Sequence, residues 1–154
     1  MYLAWIAFCS IKSYQNAKKT MMQEMKEYLI KEGYHPEKPR GKDILIFKRE
    51  GLSFVYYNRK REEKFLSIAL PNIWDVTHDS RFEILEAANK INQTMSVGKV
   101  FVIDDSVWCT YERFLTSQDS LDEICSRALD MLVYARMEFY DILEKRERER
   151  KGLC

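Results

Sequence analysis

The sequence is poor in turn-formers, in histidine and in net charge. Among 154 residues there are 5 Gly, 3 Pro and 2 His. So little Gly and Pro argues for long regular elements rather than a loop-rich chain. Lys and Arg number 25 against 24 Asp and Glu, a net charge of +1. A chain so balanced has no overall field drawing it to DNA or to an anionic bilayer, so neither nucleic acid nor a membrane is an expected partner. Four cysteines, Cys9, Cys109, Cys125 and Cys154, form no C-x-x-C pair and stand at no metal-ligand spacing from His35 or His78. They read as reduced thiols of a cytoplasmic protein, two of them buried, with no metal and no cofactor expected. Long apolar runs are missing as well. "MYLAWIAFCSI" falls well short of the roughly 20 residues of a membrane span. It lacks the positive start and small cleavage-site residue of a secretory signal, and bulky Phe8 ahead of Cys9 argues against a lipoprotein. It reads as the start of a packed helix or as an extension, with initiation at Met21 or Met22 as a further alternative.

What is present is globular: 46% apolar and 13% aromatic residues. The length fits one domain over 1–154, with residues 1–12 as a possible extension and 145–154 as a charged, frayed tail. A first helix is expected from about Ser13 to Glu32, on the stripe Tyr14, Ala17, Met21, Met25, Tyr28, ended by Gly33 and Pro36. Methionines at that spacing read as core. Three strands follow, "DILIFKRE", "LSFVYYN" and "KFLSIALPNI", the first two joined at Gly51 and the third ended by Pro71. Leu52, Phe54 and Tyr56 share one face of the second strand. Ser80 and Glu83 read as a capping box opening a second helix to about Thr94, with Phe82, Leu85, Ala88 or Asn89, and Asn92 as its apolar line, widened by Ile84, Ala87 and Ile91. Residues 99–103 and 107–114 read as a hairpin. Ser120 and Glu123 open a last helix along Ile124, Ala128, Met131 or Leu132, Ala135, Phe139 and Ile142. The fold class is α+β, an antiparallel five-stranded sheet with packed helices in the order α-β-β-β-α-β-β-α. Strands such as Ile44–Phe47 and Phe65–Leu70 are apolar on both faces, so the second face needs a cover: the terminal helices or another chain.

The chemically suggestive residues cluster in "SVGKVFVIDDSVWCTYERF". A phosphate loop runs from strand to helix N-terminus; here Gly98-Lys99 runs from helix to strand, and Gly98 reads as a helix exit. Asp104 and Asp105 suit a hairpin turn, and as a catalytic or metal pair they need Glu112 or Glu83 alongside. Cys109 needs His78 or His35 within reach to act as a nucleophile, and otherwise reads as a buried strand residue. A small enzyme or ligand-binding domain built on Asp104, Asp105 and Glu112, or on Cys109, is thus one alternative. Single-stranded RNA stacked on Phe54, Tyr56 and Tyr57 beside the basic runs Lys38–Lys42 and Arg59–Arg61 is another.

"FEILEAANKINQTMSVGKVFVIDDSVWCTYERFL" resembles the YbjN family, which shares the fold of type III secretion chaperones. The likeness lies in Asn89 and Asn92 on a helix, the Gly98-Lys99 step, a strand, an acidic turn, and a strand with Trp108 and Glu112. The resemblance implies a small α+β domain, often homodimeric, without catalytic residues. It also implies recognition of extended partner segments through apolar grooves and strand addition. The expectation is a non-enzymatic protein-binding module, chaperone-like or regulatory. Its partners are another protein or peptide segment and a second copy of the chain, with Trp74, Tyr57, Trp108 and Tyr111 as contact residues because aromatics dominate interface energetics.

Overall fold

Two tight turns set the strand pairing. Glu50 and Gly51 both take positive φ (52° and 80°), the two-residue hairpin turn whose twist matches the strands it joins. Asp104, at φ 50°, makes the other with Asp105, and Asp tolerates that region better than most residues. The computed structural model describes residues 19–62 and 64–152. Its elements are α1 (Met21–Lys31), β1 (Ile44–Arg49), β2 (Leu52–Tyr57), β3 (Phe65–Asp75), α2 (Arg81–Asn92), β4 (Gly98–Ile103), β5 (Ser106–Phe114) and α3 (Leu121–Arg150). The strands form one antiparallel sheet in the order β1-β2-β3-β5-β4. The α+β class and element order match the reading of the sequence.

Alternation along the strands sorts residues onto two faces. Leu45, Phe47, Phe54, Tyr56, Leu66, Ile68, Leu70, Val100, Val107, Cys109 and Tyr111 join one core with Met25, Tyr28 and Leu29 of α1, Ile84, Ala87, Ala88 and Ile91 of α2, and a long stripe of α3. That stripe, Ile124 to Ile142, follows three- and four-residue steps. The described helices therefore share this inner face. Val55 and Ala69 are equally buried but lie outside that core, on the outer face.

Several local expectations fail for physical reasons. The part of the expected first helix between Ser13 and Lys18 lies outside the described residues; α1 itself starts at Met21, capped by Thr20, which forms a reciprocal capping box with Gln23. Ser80 makes no cap to Glu83. It exchanges hydrogen bonds with Thr77 instead, Thr77 N to Ser80 Oγ at 3.0 Å and Ser80 N to Thr77 Oγ1 at 3.2 Å, which sets the box one turn earlier. On α2 the buried line is Ile84, Ala87, Ala88 and Ile91, whereas Phe82 and Leu85 are exposed at 74% and 43%. β3 runs on past Pro71 to Asp75, because Pro71 falls in a bulge between Leu70 and Trp74 where no ladder bond is needed. Gly98 is no left-handed helix exit. It opens β4, and a Cβ there would stand 2.0 Å from Met95 Cε. The charged tail is helical to Arg150, braced by Arg148–Glu144 and Lys151–Glu147 pairs and by Arg146 donating to the Glu83 carbonyl.

Candidate protein-binding face

Among the described residues no helix covers the outer face of the sheet. One row crosses all five strands: Ile46, Val55, Ala69, Thr110, Lys99. Its centre is small, and Val55, Ser67, Ala69 and Thr110 are 8%, 2%, 0% and 7% exposed. Larger side chains stand around this floor. Ile44 and Tyr57 face each other on one side, Phe101 and Trp108 on the other. At one end Phe65 meets Phe114 edge-on with ring centroids 4.9 Å apart. Phe114 and Ile103 are exposed at 64% and 40%. The result is a shallow apolar trough.

One ionic cluster interrupts it. Glu112 accepts from Lys99 Nζ at 2.7 Å, Arg59 Nη2 at 3.0 Å and Ser67 Oγ at 3.2 Å. Burial by itself raises the Glu112 pKa, but the Lys99 bond and charge, with Ser67 and Arg59, outweigh it and hold the carboxyl below its usual value. The Thr110 hydroxyl beside this cluster is buried and has no hydrogen-bond partner among the described residues.

Both sheet edges are stopped near their middle. On β4, Asn92 holds the outward backbone of Val100 with two 2.8 Å bonds, Nδ2 to the carbonyl and the N–H to Oδ1. On β1, Glu37 and Ile46 exchange both backbone bonds at 2.8 Å as an isolated bridge. A strand adding at either edge meets an occupied position, so among the described residues the unpartnered surface is the face rather than the edges.

The four nominated aromatics divide between the faces. Tyr57 and Trp108 are half-buried on the outer face. Tyr111 is 5% exposed in the inner core. Trp74 packs on the helix side, edge-on to Phe139 and Tyr140 with centroids at 6.2 and 4.9 Å. Phe101, Phe114, Ile44 and Ile46, which belong to the trough, were missed; strict alternation against Leu45 and Phe47 was the available signal.

The catalytic constellations are not brought together. Asp104 and Asp105 sit exposed at the β4–β5 turn. Glu112 lies six residues along β5 from Ser106, about 20 Å away at strand rise. Cys109 is fully buried, and burial pushes its thiol up to about 12 despite the Arg136 charge. His78 is fully exposed beside Asp79, and His35 is exposed. Of the proposed RNA-stacking aromatics, Phe54 and Tyr56 are wholly buried in the inner core. Arg59 and Lys60 are paired with Glu112 and Asp43. Among the described residues no group of three or more His, Cys, Asp or Glu could hold a metal ion, and no helix is long and apolar enough to cross a membrane.

No family model and no curated protein matches the sequence. Solved structures do match. YbjN from E. coli, a proposed transcription regulator, aligns with a TM-score of 0.57 at 11% identity, over 80% of this chain and 91% of that one. The fold is YbjN-like. An uncharacterized protein from Methanothermobacter thermautotrophicus aligns with a TM-score of 0.57 at 16% identity, over 81% of this chain and 99% of that one. At these identities the YbjN-like likeness carries the architecture alone.

Proposed function

We propose that the chain is a non-enzymatic, cytoplasmic protein-binding module, chaperone-like or regulatory, that seats an apolar surface of another polypeptide on the outer face of its sheet. One observation carries the reading: a trough with apolar side chains from all five strands around a floor of small residues, on a sheet whose two edges are stopped. Tyr57 and Trp108 are the contact residues retained from the sequence, joined by Phe101 and Phe114. A second copy of the chain is the first partner to test, since two such faces are self-complementary. Light scattering of the purified protein and of Trp108→Asp, with circular dichroism as a check on folding, tests it. The expected outcome is a dimer that the variant splits, because an aspartate does not bury in an apolar contact. A protein monomeric at every concentration, together with affinity purifications from the native host that are identical for wild type and Trp108→Asp, refutes it.

A further inference from the structure

We propose that Met95 is an oxidation site, and that its conversion to the sulfoxide by hydrogen peroxide releases the β4 edge held by Asn92. The site is a contact that only glycine allows. The Met95 side chain folds back onto the buried Gly98, its Cε on the place a Cβ would take. The Met95 and Met131 sulfurs lie 3.4 and 3.5 Å from that same place, so two thioethers, one from the α2–β4 connection and one from α3, share a seat on the Gly98 backbone. That seat fixes the connection. Met95 and Val97 are its two side chains packed on the core, whereas Thr94 and Ser96 are exposed. Met95 N also donates to the Ile91 carbonyl at 3.1 Å, so the end of α2 is tied to the same residue. Asn92 stands between those two points, and its amide reaches Val100 only while the connection keeps this course.

Met95 is half-buried between exposed neighbours, so a small oxidant reaches its sulfur. The O–O bond of the peroxide breaks, one oxygen bonds to sulfur, the thioether gives up two electrons, and the other oxygen leaves with both protons as water. A flexible apolar side chain becomes a polar one. At the Gly98 seat its neighbour is the Met131 thioether, which has no proton to donate to the new oxygen. A polar group held there without a partner is costly, so the sulfoxide turns out to solvent past Thr94 and Ser96. Gly98 loses its cover, the end of α2 loosens, and the two bonds between Asn92 and Val100 open. The edge that is stopped in the reduced chain is then free to pair. Two other methionines supply internal references, Met137 at 55% exposed and Met25 at 0%. The inference does not depend on the outer face binding a partner.

The full chain is treated with graded hydrogen peroxide, each methionine is followed by peptide mass spectrometry, and amide hydrogen exchange is read by NMR. Met95 is expected to convert soon after the exposed Met137 and well before Met25. In the oxidised protein the Val100 amide, which donates to Asn92 Oδ1, should exchange at least about tenfold faster, while Tyr56 and Ile68 in the middle of the sheet keep their rates. Methionine sulfoxide reductase with dithiothreitol should restore the slow exchange. Met95→Leu, close in volume and without sulfur, should keep Val100 slow at the same peroxide dose although its Met137 is oxidised. Met95 left unoxidised once Met137 is fully converted overturns the inference, as does an oxidised Met95 with an unchanged Val100 rate. So does faster exchange across the whole sheet, failure of the reductase to reverse the change, or an equal response from Met95→Leu.

Discussion

Asn92→Ala removes both bonds between the end of α2 and the backbone of Val100, each 2.8 Å. An intramolecular hydrogen bond contributes about 1 kcal/mol net, so the loss is about 2 kcal/mol. Alanine also favours the helix over asparagine, which returns about 0.5 kcal/mol. Asn89→Ala supplies the control. It sits one turn earlier on the exposed side of the same helix and gains the same propensity without losing a described bond. Urea unfolding should therefore place Asn92→Ala about 1.5 kcal/mol below wild type and Asn89→Ala at or slightly above it. The difference between the variants is about 2 kcal/mol, a gap in melting temperature of about 4–8 °C. Equal stabilities for the two variants, within about 0.3 kcal/mol, refute the account of Asn92 as the clamp of the β4 edge.

Glu112→Gln tests the ionic cluster. The Glu112 carboxyl lies below its usual value when folded, so its contribution is complete above the unfolded value of about 4.3 and lost as pH falls through the folded one. Denaturant unfolding between pH 6 and 3 should show a shallower acid loss for the variant than for wild type; parallel curves would count against the cluster. Gly98→Ala forces Met95 aside and should cost about 1 kcal/mol, and Met95→Ala should relieve part of that in the double variant, a coupling read from a thermodynamic cycle. The thiols of Cys109 and Cys125, both fully buried and pushed by burial up to about 12, should resist alkylation at pH 8 in the native protein and react on unfolding, as peptide mass spectrometry of the labelled sites would show.

The architecture was legible because its signals were strong: the turns at Gly51 and Asp104-Asp105, alternation in β2, and the sustained stripe of α3. Misreadings arose where two local solutions compete. Phe82 and Leu85 draw a plausible apolar line on α2, yet the sheet buries the line through Ile84, Ala87 and Ile91, one position round the helix. Ser80 had a glutamate in the right place and bonded to Thr77 instead. Pro71 is a sound strand terminator except at a bulge. The candidate surface was half legible. That the strands were apolar on both faces was plain from alternation, but sorting Trp74 and Tyr111 inward and Tyr57 and Trp108 outward needed the register across β3 and its two-residue slip between Leu70 and Trp74. The clamp by Asn92 and the Glu37 bridge are tertiary contacts with no periodic signature.

The stopped edges also bear on how many molecules an assembly can hold. Edge-to-edge pairing leaves a new edge after every addition and so has no intrinsic end, the route to filaments. A face closed by one partner offers no second copy of itself. With Val100 and Ile46 engaged inside the chain, the association proposed for the trough would saturate at one partner per molecule. Raising the concentration should then give a plateau in mass rather than a climbing distribution.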